Sequence, residues 1–351
     1  MITSWNHTAG AALLAAVLSL PAGHLSAGEP TLAGESLLER CWPVAALAAR
    51  DGERVPVRGA AGHARSIPRL ALAKPDPVPG HLRGVIRRVK LPPGKKLVAL
   101  TLDLCEQAGE IAGYDGAIID YLRSKRIKAT VFTGGKWFMT HAERAQQLIA
   151  DPLLEIGNHG WAHRNVRGLA GQSLQDEIRG PEAAFQVQRT GLAKSQCAAQ
   201  VPAAAALQPR LGLYRFPFGA CNAEALAALA GNGLLAIQWD VSTGDSSKAE
   251  TAEAIARTLM AEVRPGSIIL AHANGRGHHT AAALHIAVPK LIAKGYTFVT
   301  VSELLAAGTP DIVETCYDHR SGDTDRYDTL FQPRAKSPEP SNGQRAATLP
   351  R

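Results

Sequence analysis

Two histidines, His159 and His163, stand four residues apart in NHGWAH (158–163), directly after the apolar run PLLEIG. Neutral imidazoles can hold a divalent ion such as zinc at about 2.0–2.1 Å per bond, and two protein ligands leave positions open for chemistry. Paired histidines are as readily surface or capping residues, so chemistry requires partners from elsewhere in the chain. Candidates exist. Asp103 ends the run KLVALTLD, Arg215 sits in GLYRFPFG, Asp240 ends LLAIQWD, and His272 ends GSIILAH. A carboxylate at a strand end enters a site there or caps the next helix. An arginine beside a turn containing Pro217 and Gly219 is placed to orient a carboxylate by bidentate hydrogen bonds. His272 reads as a satisfied core histidine or as a general acid tuned by a carboxylate such as Asp245.

These residues need a scaffold that brings strand ends together. Between about Lys95 and Ala307, short apolar runs alternate with amphipathic stretches such as YDGAIIDYLRSKRI and THAERAQQLIAD. Near-continuous apolar strands separated by helices imply parallel strands covered on both faces, in an α/β sheet or barrel. The carboxyl ends of such strands share one face, where sites are built. Asp103, His159, Arg215, Asp240 and His272 are therefore expected to converge.

Composition sets the outer limits. The 351 residues are 46% hydrophobic, enough for a full core, and carry a formal charge of +7 without a basic tract, so no nucleic-acid partner is expected. No charged side chain precedes Glu29, and the apolar stretch Ala11–Leu20 is too short to span a bilayer. With LSA before Gly28, residues 1–27 read as a signal peptide, which implies a secreted or periplasmic protein with no integral membrane domain after cleavage. Residues 28–94 read as a Pro-punctuated lead-in containing one helix at ESLLERCWPVAALAARDG. Residues 311–351 read as a polar, largely disordered tail, at least from Gln332 onward. The five cysteines show no CxxC pairing and allow up to two disulfides in an exported chain.

Taken in order, TLDLCE, HGWAH, RFPFG, WDVSTGDS and ILAH resemble the five motifs of the polysaccharide deacetylases, the NodB-homology or carbohydrate esterase four family. KGYTFVTVSELL resembles the family's closing strand and helix. The resemblance implies a distorted (β/α) barrel over residues 95–310 that hydrolyses N-acetyl groups of an amino-sugar polymer or oligomer, such as peptidoglycan or a chitin-like glycan. A divalent metal, zinc or else cobalt or a similar ion, is implied with it. By motif match, Asp103 is the base, oriented by Arg215. His159 and His163 are metal ligands. His272 is the acid, with Asp245 adjusting its pKa. Phe218 and Gly219 are expected to bind substrate, with a backbone donor near one of them, and Trp239 joins them.

Two departures stand out. Leu104 occupies the position of the usual third ligand, an aspartate, and leucine cannot ligate. Glu106 is the preferred substitute, Cys105 the other candidate, and a metal held by two protein ligands the remaining option. Ser246 replaces a common tryptophan and so removes an aromatic wall. If the first and third motifs meet, Cys105 and Cys221 could form a disulfide, and a bond of Cys41 with Cys316 would tie the lead-in to the region after the barrel. Two other functions stay open: a catalytically silent carbohydrate-binding protein on the same barrel, and an amidase acting on a small non-sugar amide. Asp103, Arg215, Asp245 and His272 together favour the enzyme, because a pure binder has little need for all four.

Overall fold

The pleat of one strand decides which side chains reach the interior. In Leu97–Leu104, Val98, Leu100, Leu102 and Leu104 pack into a cluster shared with the surrounding helices, whereas Ala99 belongs to a separate cluster with Phe132, Ile237 and Trp239. Successive side chains alternate across a strand. Asp103 therefore follows Ala99 and Thr101 to the inner face, and Leu104 turns outward.

The computed structural model describes residues 36–59, 66–199 and 207–330. The expected signal peptide and the tail beyond Leu330 lie outside the described residues. Twelve strands are present among those described: β1 Val57–Arg58, β2 Val85–Lys90, β3 Leu97–Leu104, β4 Glu110–Ile111, β5 Ala129–Thr133, β6 Leu154–Asn158, β7 Leu213–Tyr214, β8 Leu235–Ile237, β9 Val241–Ser242, β10 Ile268–His272, β11 Thr297–Phe298 and β12 Thr309–Val313. The main sheet runs β12-β2-β8-β7-β6-β5-β3-β10-β9, with β11 alongside β3, and β1 pairs separately with β4. Every pairing in the main sheet is parallel except β12 with β2. Helices Gly116–Lys125, Ala142–Ala150, Gly171–Ala193, Ala223–Gly231, Ala252–Glu262 and Thr280–Ala293 form the crossovers. This is the expected distorted (β/α) barrel.

The sheet curls because β2 is stitched to the start of β10. Val89 N donates to Gly266 O at 3.0 Å, and Arg88 bridges Ser267. Gly266 has φ +86°, and a Cβ there would lie 1.7 Å from Val89 O. Only glycine fits this approach.

Several expectations need correction. LLAIQWD is not one strand. β8 ends at Ile237 beside β2 and β7, and β9 begins at Val241 beside β10. Asp240 therefore sits at the opening of β10, not at its mouth, where its carboxylate accepts from Ile268 N at 2.9 Å and Ser267 Oγ at 3.0 Å. The lead-in helix is two short helices, Leu37–Cys41 and Val44–Leu47, parted at Pro43. The boundaries at 94/95 and 310/311 are also too narrow, because β2 precedes the first and β12 spans the second.

Substituting Gly266→Ala should cost about 2 kcal/mol or more, from the positive φ together with the collision. Denaturant unfolding is expected to show a lower midpoint at an unchanged slope. Wild-type stability in this variant would mean that the β2–β10 stitch does not hold the barrel.

Candidate active site

Asp103, His159, Arg215 and His272 come together at the carboxyl ends of β3, β6, β7 and β10, and Asp245 joins them from the loop after β9. Arg215 is completely buried, and its Nη1 donates to Asp103 Oδ1 at 2.8 Å. Its remaining donors are directed at Ile237 O and Gln238 O, and the guanidinium lies over the rings of Phe132 (4.2 Å) and Trp239 (5.4 Å). Burial works to raise the Asp103 pKa, but the imidazole of His159 facing it and the Arg215 guanidinium bonded to it hold it below its ordinary value. The carboxylate is thus ionised and fixed.

His159 is buried and neutral, its pKa lowered by burial despite the nearby Asp103. Its Nδ1 lies 2.9 Å from Arg215 O, which can only accept, so Nδ1 carries the proton. Nε2 then presents a lone pair, and it lies 3.3 Å from Asp103 Oδ2. Two acceptors facing each other at that range are satisfied by a proton or a cation between them. His163 Nδ1 is also buried without a hydrogen-bond partner. The ring stands edge-on to His159 at 5.0 Å and to Phe218 at 4.4 Å. His163 (φ +53°) and Phe218 (φ +60°) are both left-handed, and such strain collects at functional sites.

The loop between the histidines is built, not slack. Gly160, at φ +76°, leaves room for Glu177, whose Oε2 would sit 2.8 Å from a Cβ. Glu177 accepts from Ala162 N with both oxygens, at 3.1 and 3.3 Å. Gly135 N and Lys136 N take the carbonyls of Gly160 and Trp161.

His272 Nδ1 donates to Asp245 Oδ1 at 2.7 Å, and Asp245 Oδ2 accepts from His272 N and Thr280 Oγ1. Burial would lower the His272 pKa, but the Asp245 carboxylate outweighs it and the net shift is upward. The ring keeps its proton to higher pH than usual and turns Nε2 toward the cavity. That cavity, about 230 Å³, is lined by Asp103, Cys105, His163, Phe218, Gly219, Trp239, Asp245, Ser246 and His272. It adjoins a groove of about 710 Å³ that shares Gln107, His163 and Tyr327. Gly219 N already donates to Phe216 O at 3.0 Å, which removes it as an oxyanion donor in this conformation.

The preferred third ligand is corrected. Glu106 faces away from the histidines, with one oxygen 3.5 Å from Lys136 Nζ and the other accepting from Thr140 Oγ1 at 2.7 Å and Ala112 N at 3.3 Å. The disulfides are corrected too. Cys41 bonds Cys197 and Cys221 bonds Cys316, leaving Cys105 free and buried. The expected Cys105–Cys221 bond fails because Cys221 is committed to the C-terminal segment.

That segment supplies residues that no motif indicated. Asp318 and Tyr327 line the cavity. Asp318 accepts from Trp239 Nε1 at 2.9 Å, and the Tyr327 ring lies 5.1 Å from that of Phe218. Arg167 and Asn165 bind Thr324, Asp325 and Asp328. The only advance signal was the lone cysteine in a breaker-rich stretch.

A barrel that gathers imidazoles, an Asp–Arg pair and a His–Asp pair at its strand mouths stands with the proteins that do their chemistry on that face. The polysaccharide deacetylase sequence profile matches residues 90–237, which include Asp103, His159, His163 and Arg215. A peptidoglycan-N-acetylglucosamine deacetylase of Listeria monocytogenes is 27% identical over 209 residues, 60% of this chain and 39% of the relative. This chain therefore matches about two fifths of that relative's length. One of Bacillus cereus is 28% identical over 61% of this chain and 70% of its own. A chitooligosaccharide deacetylase of Rhizobium leguminosarum is 28% identical over 44% of this chain and 60% of its own. Among solved structures, a CE4 family pseudoenzyme from Bacillus anthracis is similar at 25% identity and a TM-score of 0.51, covering 64% of this chain and 69% of its own. Over residues 90–237 this chain is similar to the polysaccharide deacetylases, and the relatives and structures above share that similarity.

Two outcomes are expected from this geometry. Burial raises the Glu177 pKa to about 7 from its ordinary 4.5, against hydrogen bonds from Ala162 and Trp161. The native state then binds more protons than the unfolded chain between these values, so stability falls as pH rises through that window. The loss is at most about 3 kcal/mol. Glu177→Gln should match wild type at pH 4 and gain on it by pH 8, and parallel stability curves would refute the shift. Replacing Cys221 and Cys316 by serine should cost about 2–4 kcal/mol and open residues 316–330 to limited proteolysis. If neither changes, non-covalent contacts alone hold the segment.

Proposed function

We propose that this protein is a metal-dependent N-deacetylase of an amino-sugar polymer or oligomer. The observation that carries the reading is the convergence of a fixed Asp103 carboxylate, paired His159 and His163, and an Asp245-bound His272 around one cavity. The buried, unpartnered His163 Nδ1 and the lone pair of His159 fit a divalent cation. When bound, that ion supplies Lewis acidity at the acetyl carbonyl and makes the attacking water more acidic.

The chain's own residues do the rest. Arg215 keeps Asp103 ionised and aimed, so that it accepts the proton of the attacking water. His272, held protonated by Asp245, delivers a proton from Nε2 to the departing amine nitrogen. Phe218 and Trp239 wall the cavity and exclude water. The adjoining groove beside Arg164 and Arg167 accommodates further sugars of a chain, which favours a glycan over a small non-sugar amide. The named activities of the Listeria, Bacillus and Rhizobium relatives suggest peptidoglycan or a chitin-like oligomer. Zinc is the favoured ion. Two disulfides favour an oxidising location outside the cytoplasm.

A second reading, a silent carbohydrate-binding barrel, draws on the outward Leu104 and on the likeness to a pseudoenzyme, a variant of which has restored enzymatic activity. Acetate release from defined amino-sugar polymers, with added divalent metal and with chelator, separates the two. The enzyme reading expects metal-dependent release, lost together with bound metal in His159→Ala and reduced about 10²–10⁴-fold in His272→Ala. Glycan binding without acetate release under any metal would establish the silent barrel.

A further inference from the structure

We propose that Cys105 is the third protein ligand of the cation held by His159 and His163, in the place where Leu104 has removed a carboxylate. The inference rests on the metal-dependent reading above and deepens it. Ligand atoms of Cys105, His159 and His163 all lie within 4.8 Å of one another, and no other such group of His, Cys, Asp and Glu is found among the described residues. Two independent features point to a ligand there. His163 Nδ1 is buried and without a partner, and Cys105 is the free cysteine of a chain whose other four are paired.

The backbone explains the exchange. Along β3 and just past it, Ala99, Thr101 and Asp103 face inward while Leu102 and Leu104 pack outward. Cys105 resumes the inward direction and lines the cavity beside Asp103, whereas Glu106 is drawn away to Lys136 and Thr140. The sulfur is oriented from behind: Asn274 Nδ2 lies 3.1 Å from Cys105 O and 3.2 Å from its Sγ. Supporting groups of this kind fix a ligand's direction at metal centres. One sulfur and two imidazoles select borderline and soft divalent ions, zinc, cobalt or cadmium, over magnesium or calcium.

Cobalt(II) titration of the full oxidised chain tests the assignment. One equivalent is expected to bind and to produce a near-ultraviolet sulfur-to-cobalt charge-transfer band. Cys105→Ser, a near-isosteric change, should abolish the band and weaken cobalt binding by at least about 10-fold. Cys105→Asp should restore tight binding without the band. Circular dichroism and unfolding curves of both variants report on their folding, and the wild-type spectrum is decisive without either. Cobalt bound by wild type with no sulfur band, and with unchanged affinity in Cys105→Ser, would overturn the thiolate ligand while leaving the metal reading intact. Failure of wild type to bind cobalt or zinc at all would overturn both.

Discussion

The barrel interior is organised around the buried ion pair of Asp103 with Arg215. A wholly buried guanidinium is tolerated only when its charge is compensated and its donors are met. Here Asp103 supplies the charge, Ile237 and Gln238 supply carbonyls, and Phe132 and Trp239 supply aromatic faces. The same residue's carbonyl takes the Nδ1 proton of His159 and so sets which nitrogen faces the site. One side chain and its own backbone thus couple β3, β6, β7 and β8. A lysine could not reproduce this, because the planar fork reaches several acceptors at once.

Much of the arrangement was legible in the order of residues. Asp103, His159 and His272 each follow an apolar run, and in a parallel sheet the ends of such runs must share a face. Asp240 misleads by the same logic, because the strand in the apolar run before it stops at Ile237 and Asp240 lies in the connection that leads to β9. No local pattern distinguishes a strand break at Gln238 from continuous strand. Glu106 misleads for another reason. A carboxylate two residues on from Leu104 invites the substitution, whereas strand alternation, readable from KLVALTLDLC, turns Cys105 and not Glu106 to the side of Asp103. The disulfides were out of reach, since connectivity is a property of space and not of spacing.

The C-terminal segment shows where composition fails. Residues 318–330 are polar and rich in breakers, yet Arg167 and Asn165 hold Thr324, Asp325 and Asp328, and Trp239 holds Asp318. Tyr327 packs against Phe218 on the wall of a cavity that Ser246 also lines. An aromatic ring thus stands on the cavity wall although Ser246 brings none, contributed by a part of the chain remote from the motifs.

The Cys221–Cys316 bond gives that contribution a history. The wall bearing Asp318 and Tyr327 is synthesised after every motif residue, and its covalent tether closes only where thiols are oxidised. A copy held in reducing surroundings keeps this wall by polar contacts and ring packing alone. Part of the cavity wall is therefore tied down by a bond that depends on the redox state of the surroundings.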